Sequence, residues 1–241
     1  MFENRRVLVV VPARGGSKGL PRKNVLPLAG LPLVAHTGRL VASLDWVDLG
    51  LISTDDTEIA DAAVASGLRF LGLRPASLAA DRVPDLPVLD HALDVAERAE
   101  GVRFDIVVML QPTSPLRTAD HVAATVAHLV HGGFDAVWTV SPTDLKFHPL
   151  KQLRLDGDCL DYYLAEGSAV VARQQLAPVY HRNGVAYALT RECLRDQARL
   201  LGARTGAVII TDPLVNIDDA DDFARAEAMM TSVRPKGAHG D

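Results

Sequence analysis

Short β-branched apolar runs recur along this chain, and the segments between them repeat apolar residues at helical spacing. RVLVVVPA (6–13), DLGLISTDD (48–56), LRFLGLRP (68–75), FDIVVMLQPTSPLR (104–117), FDAVWTVSP (134–142), NGVAYALT (183–190) and TGAVIITDP (205–213) read as strands. Between them, 31–44, 56–67, 86–101, 118–133 and 191–202 read as helices, and an acidic turn and a helix close the fold over 215–230. In the first helix Leu33, Val34, Thr37, Leu40, Val41 and Leu44 share a face; the second has Thr57 or Asp56 as its cap and Gly67 as its stop. Strands alternating with helices predict a mostly parallel sheet covered on both faces, a three-layer α/β/α domain. The rhythm breaks over 143–182, where turns, short extended pieces and exposed-looking aromatics predict a β-rich excursion or an oligomerisation arm. The expected organisation is one domain over 1–230, with a disordered tail over 231–241.

Composition narrows the partners. The 241 residues carry a formal charge of -5, with 48% hydrophobic and 23% charged residues, ordinary for a soluble globular protein. An acidic balance argues against general nucleic-acid binding but leaves room for a small anion in a local cationic loop. The apolar run before Pro12 is too short for a signal peptide, and no stretch has the roughly 20 apolar residues of a membrane helix. Cys159 and Cys193 form no CxxC pair and no metal spacing, so two reduced thiols in a cytoplasmic protein are expected.

The loop after the first strand, ARGGSKGLPRKN (13–24), sets Arg14, Lys18, Arg22 and Lys23 among three glycines with no acid between them. In parallel sheets ligands sit at the carboxyl ends of strands; glycines let backbone N–H groups approach phosphate, and cations neutralise it. The loop has neither the GxxxxGK[ST] nor the GxGxxG pattern. Lys18 and Arg22 are also compatible with facing solvent.

PARGGSKGLPRKN resembles the N-terminal signature of the acylneuraminate and related sugar-acid cytidylyltransferases. STDD (53–56), RPASLAAD (74–81), LQPTSPLR (110–117), RQQLAPVYHRNGVAYAL (173–189) and NIDDADDF (216–223) resemble further family segments in the same order, over residues 7–223. The resemblance implies a Rossmann-like nucleotidyltransferase fold with a dimerisation arm at about 143–182. It also implies transfer of CMP from CTP to the anomeric hydroxyl of a nonulosonic acid, with release of pyrophosphate and no covalent enzyme intermediate. Such chemistry rests on positioning and on cationic stabilisation of phosphoryl charge.

By the same resemblance Arg14 and Lys23 hold the triphosphate with Ser17 and the amides of glycines such as Gly15, while Asn24 and Arg74 contact the nucleoside. Ala13 shapes the base pocket through its backbone, and Asp81 falls among the nucleotide-site positions. Asp218 is the implied Mg²⁺ ligand. The family often has a second aspartate where this chain has Asn216, whose amide oxygen can ligate but lacks charge. Arg173 suits the acceptor's carboxylate, with Gln111, Gln174, Asn183 and Tyr187 beside it and Lys151 reaching from a partner subunit. Gln111 also stands at a strand's carboxyl end, which supports it independently. The implied partners are CTP, a small sugar acid and a second copy of the chain.

Bland readings fit other features. His121, His128 and His131 lack a completing Cys or acid and read as exposed or capping. Ser114 has no GxSxG elbow and reads as a loop residue. Asp221 and Asp222 read as the start of the last helix. Two alternatives stay open: the same chemistry on an octulosonate or a non-sugar acceptor such as a phosphonate, and a catalytically silent nucleotide-binding homologue.

Overall fold

A computed structural model describes residues 1–232. Its elements are β1 (Val7–Pro12), β2 (Pro27–Leu28), β3 (Leu31–Pro32), α1 (Leu33–Ala42), β4 (Leu49–Ser53), α2 (Thr57–Val64), α3 (Asp85–Glu100), β5 (Ile106–Met109), α4 (Ala119–Gly132), β6 (Ala136–Pro142), β7 (Leu153–Asp156), β8 (Cys159–Tyr162), β9 (Tyr180–Thr190), α5 (Arg191–Arg195), β10 (Thr205–Ile209) and α6 (Ala220–Ser232). The main sheet runs β10-β6-β9-β5-β1-β4. All its strands are parallel except β9, which pairs antiparallel with both β5 and β6.

The apolar runs become the buried centre because both faces are covered. Val7, Val9 and Val11 pack with Val34, Ile59 and Val126 from α1, α2 and α4. Leu8 and Val10 pack on the other face with Leu89 and Leu93 of α3. This two-sided burial explains why β1 is a continuous apolar run rather than an alternating one. Helix ends follow local chemistry. Asp56, not Thr57, caps α2 by accepting from the Glu58 and Ile59 amides. His121 closes a reciprocal capping box with Thr118 at the start of α4.

The antiparallel β9 matters most for the site. After β6 the chain leaves the sheet, forms the β7–β8 hairpin and short 3₁₀ turns, and re-enters at the carboxyl edge. The first residues of β9 therefore lie where the parallel strands end. The β6–β9 register also slips: Trp138 faces Tyr187 but Val140 faces Arg182, so β9 bulges around Asn183 and Gly184. Bulges of this kind re-aim backbone beside binding sites.

Three expectations need correction. The predicted strand over 68–75 shrinks to a single bridge between Leu51 and Arg69, because Gly72 turns the chain at positive φ before Pro75. The predicted helix over 191–202 stops at Arg195; Cys193 offers its carbonyl to Arg199 instead of continuing the helical ladder. The tail predicted from 231 begins too early, since α6 runs to Ser232; the rest of it lies outside the described residues. No helix among the described residues is long and apolar enough to cross a membrane.

Candidate active site

The loop leaving β1 and the turn entering α6 meet over the carboxyl edge of the sheet. Lys23 Nζ donates to the Ile217 carbonyl at 2.6 Å and stands 3.7 Å from the Asp218 carboxylate. Gly19 lies so close to the Asp218 carbonyl that a Cβ there would overlap it. Asn24 fixes the loop from within, donating to the Arg14 carbonyl at 3.1 Å. Arg14, Ser17, Lys18, Lys23, Gln111 and Asp218 thus share one cleft of about 360 Å³ with Ala13 and Asn24. Burial pushes the Lys23 ammonium below its usual range, against the opposing pull of Asp218.

The STDD segment, which carried no predicted site residue, braces this loop. Asp55 accepts from the Gly15 amide at 3.0 Å and lies 3.9 Å from the Arg74 guanidinium. Arg74 is buried, and burial lowers its pKa. Its Nε is buried with no hydrogen-bond partner among the described residues. The available signal was two adjacent carboxylates at the carboxyl end of β4.

Arg14 and Lys18 are not free: Asp81 bridges them, with 2.8 Å from its carboxylate to Arg14. The hydrogen bond from Lys18 leads in holding the Asp81 carboxyl below its usual range. Two cations of the loop thus already share one carboxylate. Arg22 turns away to pair with Glu58.

Beside the cleft is a recess of about 180 Å³ lined by Arg14, Arg74, Asp81, Asp85 and Gln111 among others. Asp85, at the start of α3, is a second residue the sequence reading missed. Burial raises its carboxyl above the usual range, while Arg182 and Arg74 oppose the shift. Its folded pKa is then above its unfolded one, and its ionisation lowers stability as pH rises between the two. Asp85→Asn should therefore melt above wild type at about pH 8, with the two converging at about pH 4. Thermal melts at both pH values check this; a lower melt for the variant at pH 8 would mean that the arginines outweigh burial.

A third space, about 420 Å³, lies across Asn216 and is lined by Ser141, His181, Asn183 and Asp212 among others. Asn216 Nδ2 donates to Asp218 Oδ2 at 3.4 Å, which leaves its amide oxygen uncommitted to Asp218. Gly184 (φ +72°) sits beneath: a Cβ there would be 2.9 Å from Gln111 Oε1 and 3.4 Å from Asn216 Oδ1. Gln111 and Asn216 therefore converge over one peptide.

The remaining predicted acceptor residues divide. Asn183 is buried and holds the bulge with its amide, bonding to Thr139 at 2.7 Å, Ser141 at 3.1 Å and the Val185 amide at 3.2 Å, while it also lines the third space. Tyr187 packs on Trp138 with ring centroids 4.9 Å apart and accepts from the Gly184 amide at 3.0 Å. Lys151, Arg173 and Gln174 are exposed on the arm and line none of these three spaces, because the excursion after β6 carries them off the sheet. Arg117 was quoted only as part of a motif, yet it is fully buried and bonds to the backbone of Gln111, Gly184 and Val185.

Asp218 and the Asn216 amide offer hard oxygen donors but no cage. Among the described residues no three His, Cys, Asp or Glu side chains gather as a metal site. Such a donor set fits Mg²⁺, which takes one or two protein oxygens and completes its shell with phosphate and water.

Residues 8–200 match the family described as cytidylyltransferase. The chain belongs to that family. This cytidylyltransferase is 33% identical over 232 residues to the CMP-N,N'-diacetyllegionaminic acid synthase of Legionella pneumophila, covering 93% of this chain and 96% of the relative. It is 27% identical to the N-acylneuraminate cytidylyltransferase of Escherichia coli, covering 92% of its own length but 51% of that longer protein. Among solved structures, a CMP:2-keto-3-deoxy-manno-octonic acid synthetase complexed with CTP superposes with TM-score 0.69 at 19% identity, over 94% of this cytidylyltransferase and 99% of that chain. That likeness shows the shared, mostly parallel fold.

Proposed function

We propose that this cytidylyltransferase transfers CMP from CTP to the anomeric hydroxyl of a nonulosonic, sialic-acid-like sugar acid. The observation that carries the reading is the meeting of the cationic glycine loop with the acidic turn, Lys23 standing 3.7 Å from Asp218. The names of the legionaminic, neuraminic and pseudaminic relatives support the acceptor class. The octulosonate alternative has a resemblance of fold at 19% identity behind it; the silent-homologue alternative has Asn216.

The acceptor hydroxyl gives its proton to a water as its oxygen attacks the α-phosphorus of CTP, the bond from that phosphorus to the bridging β-phosphate oxygen breaks, and pyrophosphate leaves. Arg14 and Lys23 neutralise the charge growing on the phosphate oxygens, and the glycine amides orient the triphosphate. Arg74, which lines the recess beside the cleft, contacts the nucleoside. Asp218 and Asn216 would hold Mg²⁺, which when bound adds positive charge beside the phosphates. Gln111 lies between the nucleotide cleft and the acceptor side. With CTP as donor, the working compartment is the cytoplasm.

We further propose a homodimer through the arm. Leu153 faces Tyr162 and Leu155 faces Leu160 in the β7–β8 register, so the four share one face. Leu155 is 70% exposed and Leu160 65%, while Arg154 and Asp161 pair on the opposite face. A two-stranded hairpin is marginal alone, and a second copy would cover this face. The arm could then deliver Lys151, Arg173 and Gln174 to the partner's acceptor side. Leu155→Asp combined with Leu160→Asp should give a monomer by light scattering at concentrations where wild type is dimeric; a dimer that survives both changes overturns the arm's role.

Incubation with each nucleoside triphosphate, Mg²⁺ and a panel of nine- and eight-carbon keto sugar acids tests the reaction. Pyrophosphate is expected with CTP and a nine-carbon acid. Release with an octulosonate alone would overturn the acceptor class, and CTP binding with no release from any acid would favour the silent homologue.

A further inference from the structure

We infer that Arg117 is a positioning residue for the acceptor side of the reaction, a buried clamp that sets Gln111 against the Asn183–Gly184 bulge. The inference rests on the function proposed above. No charged ligand reaches this arginine; it acts through the groups it holds.

The bonding carries the argument. Arg117 Nε donates to the Val185 carbonyl at 2.6 Å, Nη1 to Thr37 Oγ1 at 3.1 Å, and Nη2 to the Gly184 carbonyl at 3.0 Å as well as to the Gln111 carbonyl. One planar group thereby joins the loop after β5, the bulge of β9 and helix α1. A lysine ammonium has three donors on one atom and cannot span these directions, whereas a guanidinium has five in a fixed fork.

The placement is costly, which argues that it does something. Burial lowers the pKa of Arg117 to about 9, and no carboxylate opposes the shift. Buried charges are ordinarily paired with an opposite charge; here carbonyl dipoles and one hydroxyl take that part. The two carbonyls bound by Nη2 belong to the residues whose neighbourhood matters most. Gln111 Oε1 and Asn216 Oδ1 both close on Gly184, so fixing the Gln111 and Gly184 peptides fixes the floor on which those side chains meet. The nucleotide loop at 13–24 takes no part in this bonding: its contacts run to Asp55, Asp81 and the Ile217–Asp218 turn.

Arg117→Lys and Arg117→Met test the clamp, with CTP binding and steady-state kinetics measured separately. The expected result for Arg117→Lys is a folded protein with CTP affinity within about threefold of wild type and kcat/KM for the acid down about 10²-fold, the loss expected when a reacting group is misplaced by about 1 Å. Amide hydrogen exchange should rise at 111–117 and 183–185 and stay unchanged at 13–24, a readout independent of turnover. Arg117→Met should show the same pattern, more severely. Acid kcat/KM within threefold of wild type in Arg117→Lys, or equal loss of CTP and acid, overturns the proposal. Loss of the cooperative melt in Arg117→Lys also overturns it, in favour of a role in folding alone. Failure of the proposed function would show in the wild type itself, as absence of pyrophosphate with every acid, and the exchange pattern would still decide the clamp.

Discussion

Asp218→Ala is expected to abolish Mg²⁺-dependent pyrophosphate release, with turnover falling at least ~10²–10³-fold, the scale of removing one preorganised electrostatic group from a reacting site. Two effects combine. The proposed metal loses its one carboxylate, because the neighbouring position is Asn216 and brings no charge. Lys23 also loses the acid that holds its pKa up against burial, so less of it is cationic as pH rises, and the defect should deepen at alkaline pH. Folding should survive. The Asp218 side chain is 76% exposed, and exposed ion pairs contribute about 0–1 kcal/mol. Lys23 would keep its bond to the Ile217 carbonyl. Asp218→Asn separates charge from shape: it should fail nearly as badly. Pyrophosphate measured across a Mg²⁺ titration checks both variants, and near-wild-type turnover in either would remove Asp218 from the metal site.

Gly184→Ala should be the most damaging single methyl group on the acceptor side. The backbone there has φ +72°, which costs an L-residue about 1–2 kcal/mol. The new Cβ would also stand 2.7 Å from Ser114 Oγ and 2.9 Å from Gln111 Oε1. Ser114 cannot simply rotate without releasing the Asn183 carbonyl, to which its hydroxyl donates at 2.9 Å. The peptide must therefore move, with Gln111 displaced as well. A shift of about 1 Å at a reacting site lowers rate about 10²-fold. The expected pattern is kcat/KM for the acid down by that factor while CTP affinity holds, since the glycine loop is held by its own contacts to Asp55, Asp81 and Ile217. Parallel loss of CTP binding would show that the bulge supports the nucleotide cleft too.

Much of the scaffold was legible because β1 and its neighbours are buried on both faces, and that burial writes itself as uninterrupted valine and leucine. The phosphate-type loop was legible for a similar reason: glycines and cations have few other uses immediately after such a strand. What stayed hidden depended on long-range geometry. Nothing local marks β9 as antiparallel, since its buried half, Val185 to Leu189, is an apolar run like that of β5. Arg117 reads as a surface charge after proline, and only the return of β9 encloses it. Asn183 was named by resemblance, and only the fold shows that the bulge takes both bonds to its amide oxygen and one of its two N–H donors. Asp85 stands in a first turn, where acids are ordinary, and only the fold brings Arg182 and Arg74 near it. The arm residues were found by resemblance, and within a single chain they line none of the three spaces.

Lys23 and Ile217 lie 194 positions apart in sequence, yet their contact seals the cleft. During synthesis the glycine loop emerges early and waits through nearly the whole polypeptide before its acidic counterpart leaves the ribosome. A product cut short before that turn would still contain every strand of the sheet. It would lack the acidic side of the proposed reaction centre and the apolar cover that Val215, Ile217 and Ala226 give to Leu28 and Leu33.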